Sequence, residues 1–221
     1  FTIGQVKLEV TQIGKECHGD TCAIYREVGQ CIMPRQGLFT RVLQGGLIQK
    51  GQSLVHQPRA LSVQIITVSD RASQGVYEDK SGPEIEEALL AHFEATRWRL
   101  LIERHIVPDN PAQIRLALET ARDTARDLVL TTGGTGVGPR DHTPDVALSL
   151  CDKIVPGVME AVRQKYGSRI PNALISRSLL GVMGQSLLYL LPGSRRAVRE
   201  YMGELLKTIE HLVLMRQGLG H

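Results

Sequence analysis

The sequence predicts an α/β fold, an open and mostly parallel sheet with helices on both faces, preceded by a small all-β segment. Three observations predict it. Over residues 1–57 short alternating apolar pieces are punctuated by glycines, the texture changes near His56-Gln57-Pro58-Arg59, and from Leu61 onward strand-like runs alternate with amphipathic helical stretches. The reading therefore places a β segment at residues 1–57, a linker at 58–60 and an α/β domain at 61–221. A chain of 221 residues has room for one large domain or two small ones.

In the first segment, Val6-Lys7-Leu8-Glu9-Val10-Thr11 has the period of a half-buried strand. Gly37-Leu38-Phe39, Gly45-Gly46-Leu47-Ile48 and Gly51-Gln52-Ser53-Leu54-Val55 are further short β pieces. The first strand of the second domain is expected at residues 63–68, ending in Ser69-Asp70-Arg71. A helix follows from Ser81, where Ser81-Gly82-Pro83-Glu84 has capping-box spacing and Ile85, Ala88, Leu89 and Phe93 form one apolar stripe. A strand over residues 100–107 leads to Pro108-Asp109-Asn110, with Asn110 as N-cap and Pro111 at the first helical position. Leu128-Val129-Leu130 is a buried strand running into Thr131-Thr132-Gly133-Gly134-Thr135-Gly136. After two more helical stretches come a strand at residues 187–191, broken by Pro192-Gly193, and a last helix from Ser194 with Val198, Met202, Leu205 and Ile209 on one side.

Composition excludes several classes. With 42% hydrophobic and 22% charged residues the chain is neither a disordered tail nor a fibrous repeat. Its net charge of +3 is too small for an obligate nucleic-acid binder. No apolar run reaches the roughly 18–20 residues that cross a bilayer, and the first residues lack a secretory signal's pattern. Cys17, Cys22, Cys31 and Cys151 do not make a dense disulfide framework. A reduced, cytoplasmic protein is expected, without nucleic-acid or membrane partners, and with its true start upstream of Phe1 or removed.

In open α/β sheets ligands bind beyond the carboxyl ends of the strands. Those ends carry Asp70, Asp109, the glycine-rich run at 131–138 and Pro192-Gly193-Ser194. The run can bring bare backbone N–H groups onto phosphate oxygens, or it is a tight turn that needs positive φ. It is no Walker loop, because Pro139-Arg140 stands where Lys-Ser or Lys-Thr belongs, and no glycine triplet fits Gly-x-Gly-x-x-Gly. The neighbouring Arg140-Asp141-His142-Thr143-Pro144-Asp145 favours the cradle. Asp141 and Asp109 are candidate magnesium ligands, since that ion takes one or two carboxylates plus phosphate oxygens. Asp109 also reads as a turn residue and Asp145 as an N-cap. Cys17, His18, Cys22 and Cys31 could hold zinc, but reactive or buried cysteines fit their spacing better. Arg195, Arg196 and Arg199 read as a solvated helix face.

Ser69-Asp70-Arg71-Ala72-Ser73, Tyr77-Glu78-Asp79-Lys80-Ser81-Gly82-Pro83, Pro108-Asp109, the glycine run, Arg140-Asp141-x-Thr143-Pro144-Asp145, Ser176-Arg177 and Leu191-Pro192-Gly193 stand in one order. In that order residues 61–221 resemble the MogA-like molybdopterin adenylyltransferases, which include the gephyrin G domain. The resemblance implies a three-layer α/β fold, usually trimeric, that adenylylates molybdopterin with ATP and Mg2+ and releases pyrophosphate. It implies catalytic and metal-binding roles for Asp141 and Asp109. It also implies a substrate pocket of Asp70, Asp79, Ser81, Gly82, Thr132, Gly133, Gly134, Thr135, Gly136, Ser176, Arg177, Pro192 and Gly193. Other proteins of molybdenum cofactor biosynthesis are then possible partners, and a non-catalytic molybdopterin carrier is the alternative function. Residues 8–15, the three cysteines, Pro34-Arg35-Gln36-Gly37 and Val42-Leu43 resemble the C-terminal part of a MOSC domain, a β-barrel module of molybdenum cofactor sulfur chemistry. Its front half is missing, so the chain is expected to be a fragment of a longer fusion.

Overall fold

The computed structural model describes all of the chain except residues 15–17, 32, 95, 97 and 219–221, and the side chains of residues 34, 35 and 59. It divides into two compact units, Phe1–Pro58 and Arg59–His221.

The first unit holds β1 (Thr2–Ile3), β2 (Val6–Ile13), α1 (Ala23–Val28), α2 (Met33–Gln36), β3 (Leu38–Gln44) and β4 (Leu54–Val55). Its sheet has the order β3-β2-β1-β4, with every pairing antiparallel. The all-β expectation is corrected here. Two short helices interrupt the strands, and Gly29 closes α1 in the left-handed conformation that glycine adopts without a Cβ penalty. Among the described residues of this unit Val6 is the one buried apolar side chain, while Val42, Leu43, Leu47 and Leu54 are exposed.

The second unit contains β5 (Arg59–Val68), α3 (Asp70–Ser73), α4 (Ser81–Phe93), β6 (Trp98–Val107), α5 (Pro111–Asp123), β7 (Leu128–Thr132), α6 (Thr143–Leu150), β8 (Lys153–Ile154), α7 (Pro156–Gly167), β9 (Leu180–Met183), β10 (Ser186–Leu191) and α8 (Arg195–Arg216). The sheet order is β6-β5-β7-β10-β9-β8. Strands β6, β5, β7 and β10 are parallel, and β9 and β8 add an antiparallel edge. β5 is longer than its apolar run suggests, because its backbone already pairs with β6 at Arg59↔Trp98. β8 and β9 escape a pattern-based reading because they are two and four residues long and lie between loops.

The alternation of side chains across the sheet builds two cores. Leu61, Val63, Ile65, Leu128, Leu130, Leu187, Tyr189 and Leu191 face α4, α7 and α8. Ile66, Val68, Val129, Leu188 and Leu190 face α5 and α6. This is the expected three-layer arrangement, and it explains why the central strands β7 and β10 are buried at every position. The stripe Val198, Met202, Leu205, Ile209 and Val213 is what docks α8, the longest helix described. Leu130 lies on a central strand with no exposed surface. Leu130→Ala should therefore cost about 2–5 kcal/mol through lost transfer energy and a residual cavity, read as a lower midpoint of urea unfolding.

Candidate functional site

The four parallel strands end on one side of the sheet, and each contributes to a single cluster of loops. From β5 comes Ser69, whose side chain accepts from the Ala72 amide and so caps α3, followed by Asp70. From β6 comes Asp109. Asp70 and Asp109 hold each other's backbone: the Asp70 N–H donates to Asp109 Oδ2 at 2.9 Å, and the Asp109 N–H donates to Asp70 Oδ1 at 2.9 Å. Arg140 reaches the other oxygen of Asp70 at 3.3 Å, which ties the loop after β7 to this pair.

From β7 comes the glycine-rich loop. Gly133 has φ +102° and Gly134 φ +61°, a region that L residues with a Cβ rarely enter. The restriction is doubled by packing. A Cβ on Gly133 would run into the Val68 carbonyl oxygen, and one on Gly134 into Thr143 Oγ1. The Gly133 N–H donates to the Leu191 carbonyl at 3.1 Å, and Thr132 Oγ1 donates to the Pro192 carbonyl at 2.8 Å. The loop is thus wedged between the ends of β5 and β10. Asp141 closes the following turn, accepting the Gly138 N–H on Oδ2 at 2.8 Å, while Oδ1 takes no hydrogen bond from the described residues.

The start of α4 forms the other wall. Ser81-x-x-Glu84 is not a capping box. Asp79 caps the helix instead: its Oδ1 accepts the N–H groups of Ser81 and Gly82 at 3.0 and 3.1 Å, and its Oδ2 accepts Thr67 Oγ1 at 2.8 Å. A side chain at position 82 would approach Asp79 Oδ2 to 2.5 Å, so glycine is required there. Ser81 Oγ is then free to donate to the Gly193 carbonyl at 2.8 Å, joining this wall to the loop after β10.

Glu84 has a different task from the one its spacing suggests. It is nearly buried and accepts from Arg195 Nε at 2.5 Å and from Arg199. Both arginines are exposed, as the solvated-face reading expects, and the structure adds a shared partner: at i and i+4 on α8 they converge on one carboxylate. Arg196 pairs with Glu200 on the exposed side.

Most of the pocket residues expected from the sequence meet here. Asp70 and Asp109 form one group, Asp79, Ser81, Gly82, Thr132, Gly133, Pro192 and Gly193 a second, and Thr135, Gly136, Asp141 and Arg177 a third. Ser176 stands apart, sharing a 2.8 Å hydrogen bond with Ser178. Asp145 is not an N-cap but lies in the first turn of α6 and pairs with Arg177 at 2.8 Å. Thr67 is the participant that sequence patterns miss, an ordinary strand residue until the fold supplies Asp79, and Glu84 is the one whose partner they misassign. A small cavity at the opposite end of the sheet, beside Asp127, Gln185 and Arg216, contains none of these residues.

Among the described residues no three of His, Cys, Asp and Glu gather to hold a metal ion by themselves. Cys17 lies outside the described residues, and Cys22, Cys31 and Cys151 are free thiols. Burial pushes the Cys151 thiol up to about 11, so it is no nucleophile near neutral pH.

The Glu84 network has a pH signature. The Arg199 guanidinium, then Arg195, holds the Glu84 carboxyl below its ordinary value of 4.5, against the opposing effect of burial. A depressed folded-state pKa contributes stability that is fully present above the unfolded value and is lost as pH falls through the folded one. Glu84→Gln should therefore flatten the fall in stability below pH 4.5, measured as urea midpoint against pH. Part of the slope should remain, because Glu103 and Glu204 are held low by their own cationic partners.

A protein-family model described as "Probable molybdopterin binding domain" matches residues 64–211. The chain is 39% identical over 145 residues to the molybdopterin adenylyltransferase of Escherichia coli K12, covering 63% of this chain and 71% of that protein. It is 37% identical over 161 residues to the Haemophilus influenzae protein of the same name, covering 71% and 78%. The fold matches the molybdopterin biosynthesis Mog protein from Mycobacterium ulcerans with a TM-score of 0.64 and 35% identity, over 71% of this chain and 99% of that one. With the glycine loop, the strand-end carboxylates and these likenesses together, the chain belongs to the molybdopterin-binding domain family of molybdenum cofactor biosynthesis proteins.

Proposed function

We infer that this protein is a molybdopterin adenylyltransferase acting in molybdenum cofactor biosynthesis. The terminal phosphate of molybdopterin attacks the α-phosphorus of ATP. A new P–O bond forms, the bond from the α-phosphorus to the oxygen bridging the β-phosphate breaks, and pyrophosphate leaves. The observation that carries this reading is the anchored loop at 133–141, which ends in the Asp141 carboxylate, in a chain 39% identical to an enzyme of that name. Such a transfer needs in-line positioning and charge neutralisation rather than a covalent enzyme intermediate.

The geometry supports the following roles. Gly134 and Gly136 present backbone to phosphate, while Gly133 and Thr132 anchor the loop to the end of β10 through the Leu191 and Pro192 carbonyls and the Thr135 carbonyl accepts the Arg177 N–H. Asp79 fixes Ser81 and Gly82, while Pro192 and Gly193 complete the wall that would receive the pterin. Asp70 and Asp109 keep two strand ends in register. The donor set suits magnesium carried on substrate phosphates: Asp141 keeps Oδ1 unengaged, and Asp109 offers Oδ1 at the end of β6, which β5 separates from β7. Bound there, the ion would neutralise phosphate charge.

The same reading includes a homotrimer, supported by exposed Leu101 and Ile106 on the edge strand β6. It takes residues 61–221 as the transferase domain. It takes residues 1–57 as the C-terminal part of a MOSC-like β module, supported by an open sheet whose apolar residues are largely uncovered.

Protein mixed with molybdopterin, ATP and magnesium should release pyrophosphate, and chelation should stop it. Pterin binding without any release would instead identify a carrier. Asp141→Asn should keep the fold and pterin affinity but lower turnover at least ~100-fold, about 2.7 kcal/mol of barrier. Normal turnover in that variant would move the role to Asp109. Replacing Cys17, Cys22 and Cys31 together by Ser should leave pyrophosphate release unchanged, and a large loss in a folded triple variant would show that the two segments are functionally coupled.

A further inference from the structure

The resemblance assigns Arg177 to the substrate pocket, yet every nitrogen of its guanidinium is already engaged within the protein. Nε donates to the Gly136 carbonyl at 2.7 Å, and Nη1 donates to both oxygens of Asp145 at 2.8 and 3.0 Å. Nη2 donates to the Asp141 carbonyl, and the backbone N–H of Arg177 donates to the Thr135 carbonyl at 2.9 Å. These acceptors are not scattered. Gly136 and Asp141 bracket the turn that presents the Asp141 carboxylate, and Asp145 lies in the first turn of α6, directly after it. A Cβ on Gly136 would stand 2.7 Å from Asp141 Oδ2, so the two ends of the turn are in close contact. The strongest of these contacts, the Nη1 pair with the Asp145 carboxylate, would have to be given up for a phosphate to take the same bidentate position on this arginine.

We propose that Arg177 is a positioning residue: with Asp145 it clamps both ends of the 136–141 turn and so fixes the Asp141 carboxylate, and it does not bind phosphate. The inference rests on the adenylyl-transfer reading for its kinetic consequence, but the clamp itself is a property of the free protein. The clamp needs a planar fork that reaches three acceptors in different directions. A lysine ammonium carries the charge without that geometry.

The variants Arg177→Lys, Arg177→Ala, Asp145→Ala and the double Arg177→Ala/Asp145→Ala separate this from direct binding. Under the clamp, Lys should behave like Ala, and each single variant should lower kcat by about tenfold or more, since small misplacements of a reacting geometry have effects of this size. KM for ATP and molybdopterin should stay within about threefold, and the double variant should be no worse than Arg177→Ala alone, because the two residues act as one unit. Hydrogen exchange of peptides covering residues 133–142, measured without ligand, should accelerate in every variant. The proposal is overturned if Asp145→Ala keeps wild-type kcat while Arg177→Ala raises KM and Lys restores it, or if loop exchange is unchanged throughout. If the wild-type protein releases no pyrophosphate, the functional reading fails, and loop exchange alone decides the clamp.

Discussion

The site depends on how closely the backbone of β7 approaches the ends of its two neighbours. Gly133 lies against the Val68 carbonyl of β5 and beside Gly193 after β10, where a Cβ would come within 3.2 Å of the Gly133 Cα. Three strand ends can converge this tightly only because two of the residues at the contact have no side chain. Everything polar in the site is arranged around that contact. Thr132 bonds to Pro192, Ser81 bonds to Gly193, and the first turn of α6 begins where Gly134 packs on Thr143.

The carboxylates show a common pattern. Asp70, Asp79, Asp109 and Asp141 each spend at least one oxygen on backbone N–H groups. Such bonds lock loop conformations and soften the negative field that four acidic groups would direct at an anionic substrate. Arg140 adds positive charge at Asp70 and is largely exposed. The strand-end cluster is therefore an assembly of ordered backbone with a few unengaged oxygens, an arrangement that under the proposed adenylyl transfer favours positioning. Glu84 extends the same economy outward, since one nearly buried carboxylate joins the start of α4 to the start of α8.

The two units of the chain differ in how they are held. Residues 59–221 bury two apolar layers around a six-stranded sheet. The first unit has four strands and one buried apolar side chain among its described residues, which is little for an independent core. Its strands β2 and β3 still pair along most of their length, including the Arg41–Glu9 ion pair across them. Backbone pairing organises this unit more than burial does.

The sequence by itself determines the parallel strands, the main helices and which polar and glycine residues stand at the strand ends. Apolar runs with glycine or aspartate at their carboxyl ends can be read locally, and so can Asn110 as a helix cap, which the structure bears out through bonds to Ala112 and Gln113; Ser194, where the last helix is expected to start, proves to cap it through Ala197. The short strands β8 and β9 lack that signal, as their partners are set by the sheet. Only the tertiary structure decides who holds whom. Asp79 caps α4 because Thr67 and Gly82 bring it there, Glu84 is drawn off its expected cap by two arginines more than 110 residues away, and Arg177 turns inward to Asp145 and the glycine loop. The reason is physical: helix and strand patterns express local backbone preference and burial, whereas a side chain with several possible partners takes whichever ones the folded chain places within hydrogen-bond reach.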